Sequence, residues 1–116
     1  MNKVLIIDDE IRIREMLGLF LSKKYEVLLA ADGQEALAVV KEQCPDFIIT
    51  DVNMPNMNGD EFSIHMFEIN PLIPIVVMSG IDANRDKKYS SNVVQFIEKP
   101  FKVQTILDLM TTVLAK

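Results

Sequence analysis

The chain has 116 residues, with 12 Lys plus Arg against 17 Asp plus Glu and a formal net charge of −5 when its single His is neutral. This length suits one hydrophobic core and predicts a single domain over residues 1–116, while 49% hydrophobic and 25% charged residues exclude a disordered or collagen-like chain. The acidic balance argues against broad attraction to nucleic acid or anionic lipid, so neither direct nucleic-acid binding nor membrane insertion is expected.

In chain order, residues 4–7 form the first apolar run, and residues 27–30, 47–49, 75–78 and 93–97 form four more. Such short runs read as strands buried on both faces, as in a parallel sheet. Ile13, Met16, Leu17, Phe20 and Leu21 follow the first run at helical spacing, and Ala36, Leu37, Val39 and Val40 follow the second. Phe62, Met66 and Ile69 do the same after the third run, and Val103, Ile106, Leu107, Met110 and Leu114 after the fifth. The fourth connection, residues 81–92, has almost no apolar face, so a short or irregular helix is expected there. Repeated strand and helix predict an α/β fold, a doubly wound five-stranded parallel sheet with helices on both faces.

No apolar run approaches the roughly 20 residues that cross a bilayer. The N-terminal residues lack the apolar segment and cleavage site of a secretory signal. Cys44 is the single cysteine and has no internal disulfide partner. A cytoplasmic location is the resulting expectation.

Ligands of such sheets bind beyond the carboxyl ends of the strands. That filter selects Asp8-Asp9-Glu10, Asp51, Ser79-Gly80 and Glu98-Lys99-Pro100. Taken alone, Asp8 and Asp9 read as a helix N-cap. Asp51 changes this reading, because two unit charges about 4 Å apart repel by about 4 kcal/mol at an effective dielectric of about 20. Three clustered carboxylates need a cation or a proton. An all-oxygen set without His or Cys suits Mg²⁺ rather than zinc. Singly, Lys99 reads as a surface lysine and Ser79 as a strand-end turn residue. Together with the carboxylates they make a set suited to phosphoryl transfer, in which carboxylate attack gives an acyl phosphate.

These motifs resemble the receiver domain of bacterial two-component response regulators, the CheY-like, flavodoxin-like receiver fold, over essentially the whole chain. Asp8-Asp9-Glu10 resembles the family's acidic pair, residues 51–59 its phosphoacceptor loop, and Ile97-Glu98-Lys99-Pro100-Phe101 its lysine–proline ending. The resemblance implies that Asp51 accepts a phosphoryl group, and that Asp9, Asp51 and the Asn53 backbone carbonyl bind Mg²⁺ with help from Asp8. It implies that Lys99 holds a phosphoryl oxygen, that Ser79 donates its hydroxyl to another, and that Phe96 is the switch aromatic. It also implies a cis Lys99–Pro100 bond, a state of only about 5% of X–Pro bonds in folded proteins. By the same resemblance Asn53 and Ile81 correspond to the family's positions that tune phosphoryl lifetime, where an apolar Ile81 would offer no group to orient water. The implied partners are a histidine kinase or phosphotransfer protein and a downstream protein of unknown identity. The interval from Ser79 to Lys99 is shorter than is usual in the family, and the shortfall lies in the polar fourth connection; oligomeric state stays open.

Three other readings compete: a receiver-like interaction module that does not use phosphate, a binder of FMN or nucleotide, and a phosphohydrolase. Asp8-Asp9-Glu10 would repel a nucleotide phosphate, and no Walker loop is present. A phosphohydrolase would want a second carboxylate where Asn53 stands. His65 reads as a surface residue, Cys44 before Pro45 as a helix end, Met54 and Met57 as shapers of the 51–59 loop, and Gly59 as a small residue that permits a turn into a helix.

Overall fold

The computed structural model describes residues 2–54, 56–80 and 91–115. Five strands, β1 (Lys3–Ile7), β2 (Glu26–Ala30), β3 (Phe47–Asp51), β4 (Ile75–Ser79) and β5 (Val93–Glu98), form one parallel sheet in the order β2-β1-β3-β4-β5. Four helices are described: α1 (Ile11–Leu21), α2 (Gly33–Gln43), α3 (Gly59–Ile69) and α4 (Val103–Leu114). The expected flavodoxin-like α/β architecture is present.

Strand alternation sends successive side chains to opposite faces of the sheet. Val4, Ile6, Phe47, Ile49, Val76 and Met78 join Leu17 and Leu21 of α1 and Ile106 and Met110 of α4 in one buried cluster. Leu5, Ile7, Ile48, Ile75 and Val77 join Ala36 and Val40 of α2 and Phe62 and Met66 of α3 in the other. Each helix therefore buries its apolar stripe against one face, which holds the carboxyl ends of the central strands at one edge of the molecule.

The reading of five strands buried on both faces holds for β1, β3 and β4 and needs correcting for β2 and β5. These two lie at the sheet edges, where Leu29 is 43% and Val94 45% exposed. An apolar run shows strand propensity but not whether a neighbour covers it. The β4/β5 register also shifts between Ile75, opposite Val93, and Val76, opposite Gln95, leaving Val94 as an extra residue in a bulge.

Asp32 caps α2 by accepting the Glu35 N–H at 2.9 Å. That helix ends at Cys44, whose φ of 49° breaks the helical path before Pro45, as expected for a helix end. α3 begins with a reciprocal capping box, Asn58 Oδ1 accepting the Glu61 N–H and Glu61 Oε1 accepting the Asn58 N–H. The expected short helix of the fourth connection falls mainly on residues 81–90, which lie outside the described residues, as does Ile81.

Candidate functional site

Asp8 follows directly from the last residue of β1 and is fully buried. Each of its polar groups has a hydrogen-bond partner. Its N–H donates to Ala30 O at 3.2 Å, its carbonyl accepts from Arg14 Nη1 at 2.7 Å, Oδ1 accepts the Glu10 N–H at 2.9 Å, and Oδ2 accepts from Lys99 Nζ at 3.1 Å. Neither aspartate caps α1, because the N-cap position belongs to Glu10, whose side chain makes no capping bond. Asp9 is exposed, one residue further into the turn.

Asp51 is the last residue of β3, one strand across from β1, and only 6% exposed. Its Oδ2 accepts from Lys99 Nζ at 3.2 Å, and its Oδ1 receives a long contact of 3.4 Å from the Asn53 N–H. Gly59 supports this position from α3. Its N–H donates to Val52 O at 2.8 Å, and a Cβ there would stand 2.6 Å from Asp51 O. The small residue expected at this turn into α3 is thus required for close approach, and no glycine among the described residues has positive φ.

Asp8, Asp9 and Asp51 each bring a carboxylate oxygen within 4.8 Å of the others. Burial pushes Asp51 toward a raised pKa; Lys99 opposes this and Asp8 adds to it, leaving the carboxyl above its ordinary range. Burial pulls Lys99 down, but its bonds and charge attraction to Asp8 and Asp51 outweigh that, and its pKa is raised. Glu10 adds a looser ion pair at 4.0 Å. Lys99 itself follows β5, where its N–H donates to Ser79 O at 2.6 Å and its bond to Pro100 is cis, as the resemblance implies. An all-oxygen donor set with this spacing fits a hard divalent cation that keeps several waters.

Residues 4–111 match the family described as response regulator receiver domain. The chain belongs to that family. It is 31% identical to the response regulator MprA of Mycolicibacterium vanbaalenii across 98% of this chain and 51% of that protein. It is likewise 31% identical to the transcriptional regulatory protein SrrA of Staphylococcus aureus, across 91% of this chain and 45% of SrrA. The chain thus spans about half the length of the curated relatives it matches. Among solved structures, the chemotaxis protein CheY4 of Vibrio cholerae superposes with a TM-score of 0.86 at 36% identity, covering 97% of this chain and 98% of that one. The response regulator TrrA of Thermotoga maritima, in complex with Mg²⁺-BeF, superposes with a TM-score of 0.89 at 25% identity, covering 97% and 99%.

In this receiver Lys99 contacts both Asp8 and Asp51, a carboxylate oxygen of Asp9 lies within 4.8 Å of theirs, and Asn53 is exposed beside Asp51. Ser79 ends β4 fully buried, and its hydroxyl donates to Gly80 O at 3.3 Å rather than to the Asp51 carboxylate. Phe96 lies opposite Val77 and packs against the cluster beneath α2 and α3. Exposed His65 and Cys44 stand apart from the site.

Arg14 and Thr50 went unnoticed in the sequence. Thr50 Oγ1 donates to the Asp51 carbonyl at 3.0 Å, and Arg14 reaches back from α1 to Asp8. For Arg14 a signal existed, since a basic residue one turn into the helix after an acidic turn can fold back on it. Met57 lies over Gly33 at the start of α2, where an added Cβ would meet its side chain at 2.9 Å, in keeping with a loop-shaping role. A groove of about 600 Å³ opens beside the site, lined by Glu10, Ile13, Met16, Lys99, Pro100 and Phe101 among others. No helix among the described residues is long and apolar enough to cross a membrane.

Proposed function

We propose that the domain is a phosphorylation-dependent switch in which Asp51 takes a phosphoryl group from a histidine kinase or phosphotransfer protein. The observation that carries this reading is Lys99 Nζ bridging Asp8 Oδ2 and Asp51 Oδ2 at the end of two adjacent central strands. Asp8, Asp9, Asp51 and the Asn53 carbonyl would hold Mg²⁺, which when bound offsets negative charge on the carboxylates and on the phosphoryl oxygens.

The chain's own residues do the rest. Burial makes Asp51 a more basic and hence more nucleophilic carboxylate. Its oxygen attacks phosphorus, a P–O bond forms, the P–N bond to the donor imidazole breaks, and that nitrogen takes up a proton. Lys99 moves from Asp51 Oδ2 to a phosphoryl oxygen, a short shift that keeps its charge beside the transferring group. Ser79 turns its hydroxyl from Gly80 O to a second phosphoryl oxygen, and Phe96 follows it inward. A downstream protein binds the altered conformer better, so phosphorylation acts by population shift.

The test is intact-protein mass after incubation with acetyl phosphate, with and without Mg²⁺, for wild type and Asp51→Asn. One added phosphoryl group, seen with Mg²⁺ and with Asp51 only, is expected. An unmodified wild type under conditions that label a control receiver would instead support a phosphate-independent interaction module.

A further inference from the structure

Arg14 makes a contact that a charge argument alone does not explain. Its guanidinium lies in a neighbourhood with three clustered carboxylates, yet Nη1 donates at 2.7 Å to the backbone carbonyl of Asp8. The carbonyl joins Asp8 to Asp9, so a donor fixed there sets the orientation of the peptide plane between the two acidic residues. The other bonds of Asp8 hold its N–H from β2 and its carboxylate from Glu10 and Lys99. Of these contacts, Arg14's is the one that acts directly on the peptide leading into the exposed Asp9. Arg14 sits on α1, which is anchored in the core through Leu17 and Leu21, so the donor comes from a rigid element.

We infer that Arg14 is a positioning residue for the divalent-cation site, holding the Asp8–Asp9 peptide so that both carboxylates face the position an ion takes. The inference rests on the cation-binding part of the proposed function. Two effects of removing Arg14 have opposite signs. Loss of a nearby positive charge lowers repulsion and strengthens cation binding. Loss of the hydrogen bond frees the peptide and weakens it, and outer partners of metal ligands typically account for about tenfold or more in affinity.

The experiment is calorimetric titration of Mg²⁺ into wild type, Arg14→Leu and Arg14→Gln, with circular dichroism to establish that each is folded. Leucine removes both charge and donor; glutamine is a polar helix former too short to reach the carbonyl, and carries the test if the leucine variant does not fold. Dissociation constants raised about tenfold in the folded variants are expected. Unchanged or tighter Mg²⁺ binding overturns the positioning role, because a residue that only stabilises α1 would lower the melting temperature and leave the affinity of the folded protein alone. Absence of Mg²⁺ binding by the wild type is a different result, one that refutes the cation-binding part of the proposed function.

Discussion

At the scale of single residues, Asp51 carries a cost that the proposed phosphoacceptor role explains. Its raised pKa means that the folded protein holds this proton more tightly than the unfolded chain does. Between the ordinary aspartate value and the raised one the native state binds more protons, so stability falls as pH rises through that window. Lys99 behaves oppositely: with its pKa raised, its contribution is complete below the ordinary lysine value and is lost only in alkali, as pH passes the raised value. At neutral pH the charged Asp51 is therefore a net burden. In metal-free buffer at pH 7, Asp51→Asn is expected to melt above wild type, with the gap closing as pH falls through the aspartate range. A lower melting temperature for the variant at pH 7 would show that the Lys99 bond outweighs burial. Gly59→Ala should act through packing alone. Its Cβ would meet backbone, which cannot move as a side-chain tip can, so a loss of about 1–3 kcal/mol in urea unfolding is expected.

At the scale of elements, the beginning of α3 shows how local sequence supports a distant site. The Asn58–Glu61 capping box fixes where the helix starts, and that start seats Gly59 beneath Asp51. Asn58→Ala should cost about 1 kcal/mol in denaturant unfolding, the usual price of a lost cap. Helix stripes and strand runs were legible in the sequence because burial imposes its period on them, and Ile106 and Met110 on α4 illustrate it. The edge positions of β2 and β5 were not, since Leu29 and Val94 look the same in sequence whether or not a neighbour covers them. The acidic turn, Asp51 and Lys99 were legible because they follow apolar runs. The place of Arg14, one turn into the helix after the acidic turn, was a signal that it could fold back; that it meets the Asp8 carbonyl was not legible, because this depends on how α1 leaves the sheet. For Gly59 the need of a small residue was legible, but its neighbour, the Asp51 carbonyl, was not, being set by tertiary packing.

At the scale of the whole molecule, ion binding and stability should be linked. An ion that binds only the native state stabilises it by mass action, and at about a hundredfold excess over the dissociation constant the gain is about 2.7 kcal/mol. Addition of Mg²⁺ should therefore raise the melting temperature of wild type, chelation should reverse the rise, and Asp51→Asn should show a smaller one; equal shifts in both proteins would place the ion elsewhere.

The same architecture separates two poles. Every strand runs toward the acidic edge, so Lys3 at the start of β1 lies a full strand length away, tied by its N–H and carbonyl to Asp46 at the other end of the sheet. Helix α4 leaves β5 at the acidic edge and packs back along the sheet, which carries Leu114 toward the Lys3 pole. A domain immobilised on a sensor chip through either end of the described chain would thus display Asp51 outward. Linker chemistry at those ends would leave the carboxylate open to a dissolved donor, so transfer and docking could be recorded on one surface without re-engineering the site.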